Sequence, residues 1–220
     1  MSAARPAARR DRARKAPRRT GQPAAWTKDP QGRRQRVLDG ATRLFAERGY
    51  AAVSTGDIAR AAGVAEGNIY HYFGSKPELL RAVGERYGAE FAAAMFAGIE
   101  PVAAVKTIEA VVKGAFGFVG GNWPGFGLFL LSDGPSPAPL AQKANRLTVT
   151  RAVEAVLEDW SARGLLDPVD APVVSELLFG LVEAALRTCF AGDGSISRRR
   201  CVAQTVRAIS RILGIDGRRA

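Results

Sequence analysis

The residues best equipped for chemistry lie in one short stretch, residues 63–76, which reads GVAEGNIYHYFGSK. It holds Tyr70, Tyr72, Phe73 and His71, the only histidine of the chain, directly after Glu66, Gly67 and Asn68. A lone histidine cannot build a histidine-rich metal site, and no nucleophile beside it supplies the partner that acid–base catalysis needs. The two cysteines, Cys189 and Cys201, fall in no metal-ligand spacing. Gly120-Gly121 lacks the surroundings of a phosphate-cradling loop. Hydrolase or transferase chemistry therefore has no inventory here, and no catalytic residue, metal or cofactor is expected. What remains is hydrogen bonding by an amide, a carboxylate, phenols and an imidazole. The stretch is either a plug of aromatic packing or a surface that recognises something.

The elements around it decide between the two. Val37, Ala41, Leu44 and Phe45 fall at i, i+4, i+7 and i+8, which predicts a helix from about residue 31 that Gly49 ends. Ser54 with Asp57 makes a capping-box pattern ahead of Ile58, Ala59 and Ala62, and Gly63 closes that helix after about two turns. A second short segment runs from 66 to 73 and stops at Gly74. Ser75 and Glu78 repeat the cap before Leu79, Leu80, Val83, Tyr87, Phe91 and Met95, a helical stripe of about five turns. Further helices are predicted near 100–120, 124–131, 139–163, 168–191 and 197–213. No convincing alternating strand pattern appears, so the fold class is all-α.

Two short helices joined through Ala62, Gly63 and Val64 make a helix-turn-helix at about 54–73, whose second helix can enter a DNA major groove. Residues 31–91 resemble the DNA-binding domain of the TetR family of bacterial repressors. The resemblance rests on LFAERGY (44–50), STGDIARAAGV (54–64) and GNIYHYFGSKPELL (67–80), three motifs in the correct spacing. Beyond them the chain is similar to the family only in being all-helical and rich in Leu and Ala. On this frame Ile58, Ala59, Ala62, Val64 and Ile69 point inward, with Phe73 packed against Phe45. Glu66, Gly67 and Asn68 are expected to face base edges, where an amide pairs with adenine and a glycine lets the backbone come close. Tyr70, His71 and Tyr72 continue that face. The resemblance implies that Tyr70 and Lys76 hold phosphates and that Ser54 and Thr55 touch the DNA backbone. Three residues depart from the pattern. Ala65 stands where a capping side chain is common, and Gly56 where a longer polar one is. Glu66 is unfavourable beside DNA unless it accepts from cytosine N4.

Charge supports the same direction. Residues 1–36 carry twelve basic side chains against Asp11 and Asp29, while the remainder holds 20 basic and 19 acidic ones within a formal net charge of +11. A near-neutral globule with a basic arm suits a polyanion, either nucleic acid or an anionic membrane surface. Residues 1–30, mostly Ala, Arg and Pro, bury too little to offset ordering and are expected to be disordered in isolation. They read as a solvated extension or as an arm lying along DNA. The Arg-rich start is not followed by the apolar run of a secretory signal, and no segment reaches the roughly 18 apolar residues of a membrane span. The expected location is cytoplasmic, on the nucleoid, with no membrane partner.

If residues 31–91 bind DNA, residues 92–220 are expected to pair subunits and receive a signal. A single helix-turn-helix makes few base contacts, whereas a two-fold homodimer reads a palindromic operator. Val174, Leu177, Leu178 and Leu181 form one apolar band, and Val202, Val206 and Ile209 another; together they are the expected interface, a four-helix bundle as in the family. Phe116, Phe118, Trp123, Phe126, Phe129 and Trp160 are candidate linings of an apolar cavity for a hydrophobic small-molecule effector, with core packing as the alternative for each. The resulting expectation is a sequence-specific transcriptional repressor released by that effector. A non-specific nucleoid or membrane-surface protein driven by the basic arm is the rival.

Overall fold

The computed structural model describes residues 29–99, 102, 104–122 and 138–215. Among them are eight helices and no strand, in agreement with an all-α fold. In chain order these are α1 (Pro30–Arg48), α2 (Thr55–Ala62), α3 (Gly67–Phe73), α4 (Lys76–Phe96), α5 (Val105–Gly121), α6 (Ala138–Ala162), α7 (Ala171–Phe190) and α8 (Arg198–Ile212). The expected basic arm (except its last two positions) and the helix expected at 124–131 lie outside the described residues.

The first three helices form because local signals and burial agree. α1 turns Val37, Leu38, Ala41, Leu44 and Phe45 inward. The Arg36 Nε donates to the Ala62 carbonyl at 3.2 Å, tying α1 to the end of α2. α2 begins with the expected capping box and ends at Gly63, whose φ of 63° is the left-handed conformation that closes a helix cheaply only for glycine. At seven residues, α3 is far too short to stand alone in water. It persists because Ile69 and Phe73 are buried in the common core.

α4 joins this unit to the rest of the chain. Ser75 caps it by accepting from the Glu78 amide at 3.2 Å, and Pro77 sits in the first turn, where its missing N–H costs nothing. Its main neighbour is α6, followed by α5. Two glycines bring α4 and α6 into backbone contact. A Cβ on Gly84 would lie 2.8 Å from the Ala141 Cα, and one on Gly88 would lie 2.8 Å from the Asn145 carbonyl oxygen. On the other side, a Cβ on Gly114 of α5 would stand 3.1 Å from the Met95 Cα. α4 is thus gripped from two directions. From Gln31 onward the chain is one compact unit, and the domain boundary expected at 91/92 falls inside the unbroken α4.

Candidate nucleic-acid interface and internal cavity

α3 is split lengthwise. Ile69 and Phe73 are buried, whereas Gly67, Tyr70 and His71 are exposed and Asn68 and Tyr72 half-buried. Tyr70 is 51% exposed. The His71 ring meets the Tyr72 ring edge-on, 5.1 Å between centroids. The inward set is also as expected: Ile58, Ala59 and Ala62 are buried, with Val64 half-buried behind them. Glu66 supplies no capping hydrogen bond to α3, so this helix starts without the side-chain cap that α2 and α4 have.

Ser54 and Thr55 sit at the start of α2, beside the outward face of α3, but their hydroxyls are engaged within the chain. The Asp57 amide donates to Ser54 Oγ at 3.1 Å, and the Ser54 amide and hydroxyl donate to Asp57 Oδ2 at 3.0 and 2.6 Å. Those bonds from Ser54, with a smaller contribution from Arg60, pull the Asp57 carboxyl down to about 2. The Thr55 hydroxyl donates to Glu66 Oε1 at 2.5 Å and lies 3.2 Å from the Tyr70 hydroxyl. Glu66 therefore bridges the starts of α2 and α3. A Cβ on Gly56 would come within 3.7 Å of Glu66 Oε2. Two of the three departures from the family pattern, Gly56 and Glu66, are thus neighbours in space, although a methyl at position 56 would meet the carboxylate only at ordinary van der Waals distance. Spacing along the chain carries no trace of that pairing.

Lys76 is half-buried rather than free. Its Nζ donates to the Tyr50 carbonyl at 2.7 Å and stands 4.0 Å above the Tyr50 ring. Burial lowers its pKa. The lysine latches the first turn of α4 to the turn after α1 and keeps further N–H donors on the same ammonium.

A cavity of about 340 Å³ lies among α4, α5, α6, α7 and α8. Its wall is mostly apolar: Phe91 and Met95 from α4, Val149 and Leu157 from α6, Val182 from α7. Trp160 lines it, as expected. Phe116 does not; it is fully buried 6.1 Å from Phe190, about two turns along α5 from Ile108, which does line the cavity. Phe118 packs instead on Tyr87 and Phe91. Trp123, Phe126 and Phe129 lie outside the described residues. The lining residues that sequence reasoning missed sit on the same helical stripes as the core, so periodicity cannot separate them. One residue did carry a signal. Asn145 occupies the stripe Ala141, Asn145, Val149, Val153, Leu157, where every other member is apolar.

The expected interface helices divide differently. On α7, Leu178 is buried in its own chain, Val174 and Leu181 are half-buried, and Leu177 is 58% exposed beside Val173 at 54%. On α8, Val206 and Ile209 are buried in their own chain and Val202 is half-buried. α8 exposes Arg198, Arg199, Arg200, Ala203, Gln204, Arg207, Arg211 and Ile212, so of the expected interface positions only Leu177 on α7 is fully outward. Among the described residues there is no cluster of potential metal ligands and no helix long and apolar enough to cross a membrane.

Comparison with known proteins places this geometry. Residues 37–83, from α1 into α4, match the sequence profile described as bacterial regulatory proteins, tetR family. The chain is 38% identical over 101 residues to the HTH-type transcriptional repressor KstR2 of Rhodococcus jostii (strain RHA1), a match covering 44% of this chain and 48% of that protein. It is 26% identical over 193 residues to the HTH-type transcriptional regulator UidR of Escherichia coli (strain K12), covering 82% and 92% of the two. The fold is similar to that of the transcriptional regulator FadR from Bacillus subtilis, solved in complex with stearoyl-CoA, with a TM-score of 0.60 at 19% identity over 82% of this chain and 97% of that one.

Proposed function

We propose that the chain is a member of the tetR family of bacterial regulatory proteins, whose profile residues 37–83 match, and that it represses transcription by gripping a palindromic operator as a homodimer. The relatives named above are transcriptional regulators, and one of them is a repressor. The observation that carries the proposal is the outward face of α3, with Asn68, Tyr70, His71 and Tyr72 presented by a helix whose other side is locked into the core. Asn68 is assigned to adenine and Gly67 to close backbone approach. Tyr70 and the remaining donors of Lys76 are assigned to phosphates, with Ser54 and Thr55 beside them. A second copy is supported by the exposed Val173 and Leu177, apolar area that a monomer leaves in water. Selection of bound duplexes from a random DNA pool tests this directly. A two-fold symmetric site is expected; an asymmetric or featureless pool would leave only charge-driven binding.

The cavity supports an effector of apolar character, since about 340 Å³ lies in the range of small-molecule sites. The acyl ligand in the FadR complex is bound by a protein of the same fold. A ligand there would touch α4 at Phe91 and Met95 and shift the population of DNA-competent dimers. Release of operator DNA on adding the effector is the expected result. A compound that fills the cavity and leaves operator affinity unchanged is not the inducer.

A further inference from the structure

Resting on the reading of the cavity as an effector site, we propose that Asn145 selects the effector: an apolar molecule bearing one neutral hydrogen-bonding group, such as a hydroxyl or an amide. Asn145 lines the cavity and is only 6% exposed, and its Oδ1 is buried without a hydrogen-bond partner. Such orphans are rare in folded proteins, because a buried acceptor that has lost water and gained nothing weakens the fold. Among the described residues nothing donates to it. On the α4 side the oxygen faces Gly88, lying 3.0 Å from where its Cβ would be, and the amide of that residue belongs to the helix ladder. A leucine at position 145 would fill nearly the same shape and continue the apolar stripe of α6. The oxygen is turned to the α4–α6 crossing, and rotation about the terminal torsion of the side chain would present it, or the NH2, to a molecule in the cavity.

The rest of the wall defines the class further. Arg146 is held by Glu176, 2.6 Å from Nε to Oε2, and Glu183 by Arg187 at 3.1 Å, so these charges are already matched. The walls beyond Asn145 are chiefly aliphatic and aromatic. An amide can turn to present its oxygen or its NH2, so a hydroxyl, which both donates and accepts, is the best complement. Lys143 at the exposed rim is the one residue that would favour an anion instead.

Displacement of anilinonaphthalene sulfonate, an environment-sensitive dye for apolar cavities, provides the test on the full-length protein. Decanol, chlorodecane and decanoate are the competitors, against the wild type and Asn145→Leu. The expected result is that the preference for decanol over chlorodecane falls about three- to tenfold in Asn145→Leu, the loss of one hydrogen bond. The melting temperature of that variant should stay level or rise, which a residue needed only for folding would not allow. Asn145→Ala serves as a second variant should leucine disturb packing, and it should lose the same preference. An unchanged ratio in both variants overturns the assignment while leaving the cavity reading intact. Decanoate outcompeting decanol in the wild type overturns the neutral class in favour of Lys143. If no competitor displaces the dye, or the dye fails to bind at all, the cavity reading falls and this assignment with it.

Discussion

A carboxylate beside a DNA-facing helix repels the phosphates it must approach, and Glu66 is placed there with one oxygen on the Thr55 hydroxyl. Replacing it by glutamine keeps a hydrogen-bond acceptor for Thr55 and removes the charge. We expect Glu66→Gln to bind a random-sequence duplex about fivefold more tightly at low salt, the size of roughly 1 kcal/mol for charges a few ångströms apart in water. Fluorescence anisotropy measures it, and an advantage that persists undiminished at high salt would rule out the electrostatic cause. On this reading Glu66 would act as a brake on non-specific binding. The Ser54–Asp57 cap makes a second residue-scale prediction. Ser54→Ala should cost about 1 kcal/mol in urea unfolding at neutral pH, the usual worth of an N-cap. Asp57 is held at about 2, below its ordinary 3.8, so between those values the unfolded chain binds more protons than the folded one. The stability advantage of wild type over Asp57→Asn should be complete above about pH 4 and fade as the pH falls toward 2. A gap that widened on acidification would contradict the folded-state hydrogen bonds.

At the scale of elements, the backbone contact of α4 with α6 is the most demanding feature. An alanine at Gly84 would drive its methyl onto the main chain of Ala141, so Gly84→Ala should lose about 1–3 kcal/mol by overpacking, read as an earlier thermal melt by circular dichroism. Gly117, where a methyl would meet nothing within 4 Å, is the control, and Gly117→Ala should melt no earlier than wild type. Much of this level was legible beforehand. Caps at Ser54 and Ser75, breaks at Gly49, Gly63 and Gly74, and the stripes of α1 and α4 placed the first four helices to within a residue or two. The start of α5 was less legible, at Val105 rather than near residue 100. What spacing could not reveal was which side of a buried stripe faces a void. Phe116 and Trp160 look alike in sequence, yet one packs on Phe190 and the other lines the cavity. That difference is set by helix crossings, and the α4–α6 crossing depends on Gly84 and Gly88, whose partners are more than fifty residues away. Likewise, Val206 and Ile209 are apolar at helical spacing whether they face a second copy or, as here, the chain's own core.

At the scale of the whole molecule, two proposals meet: an arm that follows the phosphates and a pair of subunits. Deleting residues 1–30 should weaken operator binding and flatten the dependence of log affinity on log salt, since fewer counterions are then released. An unchanged slope would take the arm out of the interface. Leu177→Glu should shift the sedimentation coefficient of the purified protein from dimer to monomer without lowering its helix content, because that side chain is 58% exposed in the single chain. The crossing at Gly84 and Gly88 adds a length scale to this picture. Lys76, latched to Tyr50 and so to the whole reading head, lies twelve positions before Gly88 on one straight helix, about 18 Å away. A pivot of only about 5° at that crossing would swing the Lys76 end by roughly 1.5 Å, and in a two-fold pair by roughly 3 Å between heads, close to the rise of one base pair. With an arm that long and a fulcrum that tight, very small adjustments around an effector would, in the proposed dimer, suffice to put two recognition helices out of step with successive turns of DNA.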